Sequence, residues 1–238
     1  MALGGLLLAL MAVSGCRRRV AYQPPPTALP PPPRISVTPV PRRGVSEADL
    51  RYVATHRPIF TEVGLASWYQ SPYRGRRAAN GQVFRNSAMT AANRTLPMGS
   101  LVVVTNLTTG QSAAVSINDR GPFVKGRIVD LSEAAAKAVG IYRIGVARVE
   151  LAVYKAPEPI WSGGLWCVQI GAFRSRGLAN KYKRWLLRRY PRSDVIEFPG
   201  ERSYWVRISP EGDNRTMAEY LARHLHPPQG HAFLTRLD

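Results

Sequence analysis

Ser116-Ile117-Asn118-Asp119-Arg120-Gly121-Pro122-Phe123, running on to Gly126-Arg127-Ile128-Val129-Asp130-Leu131-Ser132, is the stretch whose reading decides the fold. An alternating apolar run, Ala113 to Ile117, feeds a polar turn, so a carboxylate stands where strand becomes loop. A second carboxylate follows within a dozen residues. The chain has 15 acidic residues against 33 basic ones, so two acids grouped at a turn call for a reason.

Upstream of the turn, Leu101-Val102-Val103-Val104-Thr105-Asn106 is a β-branched run suited to a buried strand, and Thr109-Gly110 turns it into Ser112–Ile117 as a hairpin. Earlier still, Thr61 to Tyr69 has strand character with Gly64 as a bulge position, and Gln70 to Gly81 reads as a long polar loop. Downstream, Asp130 to Gly140 reads as a short helix. Ser132 caps its first turn, Glu133 suits its positive end and Gly140 closes it. Ile144 to Tyr154 alternates as a closing strand. Many strands, one short helix and no βαβ repeat point to a small barrel.

Pro157-Glu158-Pro159 and Ser162-Gly163-Gly164 then punctuate the chain, and the pattern changes. Strands are expected at Trp166–Phe173, Asp194–Phe198, Tyr204–Ser209 and His231–Leu234, with helices at Leu178–Leu187 and Met217–Leu225. The order βαββαβ gives a ferredoxin-like four-stranded sheet with two helices on one face. The expected organisation is a leader over 1–15, a Pro-rich tether over 16–58, a barrel over 59–156, a linker over 157–164 and a second domain over 165–238.

The net charge of +18 raises nucleic acid, an anionic membrane or an acidic polymer as partner. Its distribution argues against nucleic acid: residues 16–58 hold 8 basic and 2 acidic residues, 59–157 hold 12 and 5, and 162–238 hold 13 and 7. The amino end narrows the compartment. Leu6 to Val13 is too short to span a bilayer, and Val13-Ser14-Gly15-Cys16 resembles a lipobox, in which the cysteine is lipidated. An ordinary signal peptide with an incidental cysteine and a short membrane anchor are the alternatives. By resemblance to lipoproteins generally, Arg17 after the cysteine implies the outer membrane. Pro24-Pro25-Pro26 and Pro30-Pro31-Pro32-Pro33 favour extended backbone, as a tether requires. With Cys16 lipidated, Cys167 stands alone in an apolar run and reads as a buried structural thiol. No metal site and no cofactor is expected.

Both folded regions resemble known families. Residues 63–154 are similar to the double-psi β-barrel of the RlpA (rare lipoprotein A) family. The likeness runs through Gly64-Leu65-Ala66-Ser67-Trp68-Tyr69, Asn80-Gly81, Met89-Thr90-Ala91-Ala92, Thr95-Leu96-Pro97-Met98-Gly99, Val104-Thr105-Asn106-Leu107 and the opening stretch. Residues 165–238 resemble a SPOR domain through Val168-Gln169-Ile170-Gly171-Ala172-Phe173 and Tyr204-Trp205-Val206-Arg207-Ile208. The fold class implied is a six-stranded double-psi barrel followed by a ferredoxin-like α+β domain. The function implied is an endolytic lytic transglycosylase, a lyase acting on septal peptidoglycan and recruited to glycan strands without stem peptides. A peptidoglycan-binding septal lipoprotein that does not cut is the alternative.

The resemblance assigns Asp119 the acid/base role. It also exposes departures: Gln82 stands where the family has Glu, Asn93 where it has His, and Arg74 where a His is frequent. Gln82 and Asn93 cannot exchange protons near neutral pH but still hydrogen-bond sugars. Read from the residues alone, Asp119 is rather a turn residue bonding its own loop, and Asp130 a structural neighbour of a helix cap. Trp68 and Tyr69 are candidates for stacking on sugar faces, with one of them expected in the core. Arg120 and Arg127 are candidates for muramyl carboxylates or are simply solvated. In the second domain Gln169, Phe173, Tyr204, Trp205 and Arg207 are the glycan-binding candidates. Alternation there sends half of the strand aromatics into the core.

Overall fold

A computed structural model describes residues 44–69, 77–199 and 203–238. Six strands close into a barrel. In chain order they are β1 (Phe60–Trp68), β2 (Thr90–Ala92), β3 (Leu101–Asn106), β4 (Ser112–Asp119), β5 (Arg127–Leu131) and β6 (Ala147–Lys155), arranged β1-β5-β2-β4-β3-β6. Two neighbouring pairs, β1 with β5 and β2 with β4, run parallel; the others are antiparallel. Closure leaves no edge to template aggregation. The continuous apolar run of β3 follows from cover on both faces: Leu101, Val102, Val103 and Val104 are all buried.

Two helices pack on this barrel. α1 (Glu47–Thr55) opens with a capping box, in which the Asp49 amide donates to Ser46 Oγ at 3.1 Å and the Ser46 amide donates to Asp49 Oδ2 at 3.1 Å. Its Val53 joins the barrel core, and Lys155 Nζ on β6 reaches Asp49 at 3.0 Å. α2 (Glu133–Ala138) is capped by Ser132, whose Oγ accepts from the Ala135 amide and donates to the Ala88 carbonyl. Gly140 leaves α2 at φ +73°, a left-handed conformation that favours glycine.

The remaining strands form a second sheet, β7 (Trp166–Phe173), β8 (Asp194–Pro199), β9 (Tyr204–Ser209) and β10 (His231–Arg236), in the antiparallel order β10-β7-β9-β8. Helices α3 (Arg176–Arg189) and α4 (Arg215–His224) cover one face, burying Ala179, Tyr182, Leu186, Ala218 and Leu221 against Val168, Ile170, Val206 and Ile208. A six-stranded barrel followed by a βαββαβ sheet is the fold class read from the sequence.

Four local readings change. Residues 47–55, taken as part of an extended tether, are helical, because the capping box and the buried Val53 outweigh the nearby prolines. Asp130 and Leu131, taken as the start of a helix, end β5. Asp130 pairs with Ser67 of β1 and Ala92 of β2, and the helix begins only after Ser132. The three-residue β2 and the five-residue β5 were not anticipated as strands; neither is long enough to show alternation. Gly64 is not itself the bulge, which lies between Leu65 and Ala66; a Cβ on Gly64 would meet Ile128 Cγ2 at 2.6 Å. Cys16, Arg74 and most of the expected tether lie outside the described residues.

Candidate active site

Asp119 is the last residue of β4, and the chain folds a turn over that strand end. The Ala78 amide donates to the Gln82 carbonyl at 2.8 Å, and the Gln82 amide donates to Asn80 Oδ1 at 3.0 Å. This turn docks on β4 through the Asn80 amide to the Asn118 carbonyl at 3.2 Å and the Ala79 amide to Asp119 Oδ1 at 3.0 Å. Asp119 Oδ1 also accepts from the Arg120 amide at 2.8 Å, and Asp119 Oδ2 accepts from the Tyr69 hydroxyl at 3.1 Å. The half-buried carboxyl is thus held from both sides, by its own turn and by the residue following β1.

The sheet brings the second acid into line. Ala92 of β2 registers with Asp119 on one side and with Asp130 on the other, and Asp130 registers with Ser67. Ser67, Asp130, Ala92 and Asp119 therefore form one row across four strands, which places the two acids roughly 10 Å apart at Cα. Asp130 is buried. Its Oδ1 accepts from Ser67 Oγ at 2.6 Å, and its Oδ2 faces Arg127 Nη2 at 3.3 Å. Burial pushes its carboxyl above the ordinary value; Ser67, Arg127 and Arg94 pull it back, and the charge of Asp119 adds to the rise.

A raised carboxyl holds its proton more tightly in the folded chain than in the unfolded one. Its contribution to stability is full below the ordinary carboxylate value of 3.8 and is lost as pH rises through the folded value. Asp130→Asn is therefore expected to gain stability relative to the wild type as pH rises from acid towards neutral. Thermal melts across that range check this, and a constant difference would refute it.

The other candidates are placed as follows. Tyr69 meets Asp119 and packs edge-on against Phe84 at 5.2 Å, whereas Trp68 packs on the barrel core and tilts against Tyr142 at 4.6 Å. Gln82 lines a cleft of about 460 Å³ with Asn118, Thr90, Ala88, Val83, Arg85 and Gly44, and among the described residues its side chain makes no hydrogen bond to Asp119. Asn93 is buried, and its amide is spent on backbone. Oδ1 accepts from the Thr95 and Leu96 amides, each at 2.8 Å, and Nδ2 donates to the Ile128 carbonyl at 2.9 Å.

Arg120 is neither solvated nor directed at a ligand. Its Nη1 donates to the carbonyls of Leu96 at 2.7 Å and Asn93 at 3.2 Å, and its Nη2 donates to the backbone oxygen of Asp238. Burial pulls its guanidinium down to about 10, an effect that Asp238 offsets in part. Arg127 serves Asp130. Sequence reasoning missed Ser67, the Ala79 amide and Arg94, whose Nη1 donates to the carbonyls of Pro122 at 2.6 Å and Arg127 at 2.8 Å. Ser67 lay inside the recognised Gly64–Tyr69 motif, but only the strand register shows which acid it meets.

In the second sheet Phe173 is fully buried, and Tyr204 packs partly against the same core. Gln169, Arg207 and Trp205 share the opposite face, since Gln169 registers with Arg207 and with Phe233. The two helices leave that face uncovered, but Phe123, four residues after Asp119, sits 5.5 Å from the Trp205 ring and 5.8 Å from Phe233. The Arg94 guanidinium lies over Phe233 at 5.5 Å, and the Arg236 amide donates to the Arg94 carbonyl at 2.8 Å. Cys167 is buried on this sheet, and burial pushes its thiol up to about 11, as suits a structural residue.

Two families match the chain: one described as lytic transglycolase over residues 61–151 and the SPOR domain over residues 162–231. A protein of Synechocystis named probable endolytic peptidoglycan transglycosylase RlpA is 58% identical over 88 residues, covering 37% of this chain and 27% of that protein. The Vibrio cholerae endolytic peptidoglycan transglycosylase RlpA is 47% identical over 100 residues, covering 42% of this chain and 38% of its own. The Campylobacter jejuni protein of the same name is 35% identical over 151 residues, covering 52% and 55%. The chain thus spans between 27% and 55% of the length of these relatives.

Proposed function

We propose that this chain, which belongs to the RlpA family with its double-psi barrel and SPOR domain, is an endolytic peptidoglycan lytic transglycosylase acting on peptide-poor glycan strands at the division septum. The observation that carries the reading is the row Ser67–Asp130–Ala92–Asp119, which sets a half-buried carboxyl at a strand end, across one strand from a buried carboxyl that burial pushes above its ordinary value.

A lytic transglycosylase protonates the glycosidic oxygen leaving muramic acid while that sugar's own hydroxyl attacks its anomeric carbon. The C–O bond to the leaving sugar breaks, an internal C–O bond closes, and the hydroxyl proton returns to the carboxylate. The nucleophile belongs to the substrate, so one carboxyl group serves as acid and then as base. Asp119 takes that role. Tyr69 orients it, and Asp130 is a positioning residue whose charge state is tied to that of Asp119. Cys16, when lipidated, holds the protein to the outer membrane on the Pro-rich tether, facing the periplasm.

The second reading is a barrel that holds glycan without cutting it. One observation favours it: Gln82 and Asn93 carry no titratable proton, and the Asn93 amide is engaged by three backbone groups. Incubation of the full chain with peptide-free and peptide-bearing strands separates the two. Anhydro-muramyl ends formed chiefly from peptide-free strands support the enzyme. Retention on those strands with no new ends, even in Gln82→Glu, supports the binding role.

A further inference from the structure

The positive charge that looks evenly spread along the chain includes one dense run, on and beside α3. Residues 174–192 contain eight cations and no acid. At 100° per residue, Ala179, Tyr182 and Leu186 mark the buried side of α3, and Lys181, Arg184 and Arg188 form the ridge opposite. Leu178 and Trp185 lie on one shoulder of that ridge and Leu187 on the other, at 38%, 42% and 40% exposure. Arg176 is tied to Glu197 and Arg192 to Glu211, but among the described residues no ion pair engages Lys181, Arg184 or Arg188. The second helix of the layer, α4, adds Met217 and Tyr220 to the exposed apolar surface. The barrel loop packs on the other face of this sheet, through Phe123 against Trp205 and Phe233, so α3 lies on the face opposite that contact.

We propose that the α3 ridge is a docking surface for an anionic lipid bilayer. The charge alone would suit any polyanion. The apolar shoulders decide between them: Leu178, Leu187 and Trp185 flanking a cationic ridge match a layer of anionic headgroups over acyl chains. A glycan carrying lactyl carboxylates offers rings for Trp185 but no apolar layer for the two leucines. Docking through α3 presents the helices to the lipid and keeps the barrel on the far side of the sheet. The bilayer contact is thus separate from the face carrying Gln169, Trp205 and Arg207, and from Asp119.

The test measures partition of the full chain onto phosphatidylcholine vesicles with and without phosphatidylglycerol. Cys16→Ser is present throughout, so that no acyl chain contributes. Phosphatidylglycerol is expected to raise partition by on the order of tenfold or more. The combined reversal Lys181→Glu, Arg184→Glu and Arg188→Glu, all on the solvent side of α3, should remove that increment. Trp185→Ala should lower partition several-fold on the anionic vesicles. The proposal is overturned if partition ignores phosphatidylglycerol or if the reversals leave the increment intact. It is equally overturned if they spare the vesicle increment while cutting retention on peptide-free glycan strands.

Discussion

Asp119→Asn is expected to abolish formation of anhydro-muramyl ends, with a rate loss of about a hundred- to ten-thousand-fold. The substitution is nearly isosteric. The side-chain oxygen can still accept from the Ala79 and Arg120 amides, so the turn over β4 should keep its place. What disappears is the group proposed to give and take back a proton. Asp130→Asn should behave differently: it removes a positioning carboxyl whose charge is coupled to that of Asp119, so product persists while the pH profile of the rate shifts. Equal loss in both variants would give Asp130 the proton-handling role. Full activity in Asp119→Asn would remove the enzymatic reading from this residue.

The second large effect is on stability. Arg120→Ala is expected to cost about 3 kcal/mol, because it strips a half-buried cation from three backbone carbonyl partners at once. In a chain of this size such a loss lowers the melting temperature by roughly 6–12 °C. Arg120 joins the Asn93 and Leu96 carbonyls of the barrel to the backbone of Asp238 beside the second sheet. Its loss should therefore also loosen the contact of Phe123 with Trp205 and Phe233. Calorimetry should show a single transition in the wild type and two separated ones in the variant. Arg120→Lys should recover only part of the loss, since one ammonium cannot span three acceptors as the planar guanidinium does. An unchanged melting profile in Arg120→Ala would show that this latch contributes nothing.

Much of this architecture was legible in the sequence. The β-branched run at Leu101–Asn106, the Thr109-Gly110 turn and the two alternating helices of the second sheet carry their period openly. The short strands did not, because three or five residues cannot display a period, and Asp130 was accordingly placed on the wrong element. The candidate site shows the same division. Asp119 could be picked out from its motif and its position at a turn. Its alignment with Ser67, Ala92 and Asp130 could not, because they meet through two parallel pairings and one antiparallel pairing between strands distant in sequence. Arg120 carried a misleading signal: an arginine beside a candidate acid reads as a ligand contact, whereas burial turns it into a latch on backbone carbonyls. The cover of Trp205 by Phe123 is a tertiary event with no local signature.

In the proposed reaction the barrel cuts glycan with the substrate's own hydroxyl and without water. Digestion of peptide-free strands by the full chain in heavy-oxygen water, with products weighed by mass spectrometry, tests it directly. The expected products are fragments ending in anhydro-muramic acid that carry no heavy oxygen and vanish with Asp119→Asn. New reducing ends labelled with heavy oxygen would contradict it, as would strands left whole.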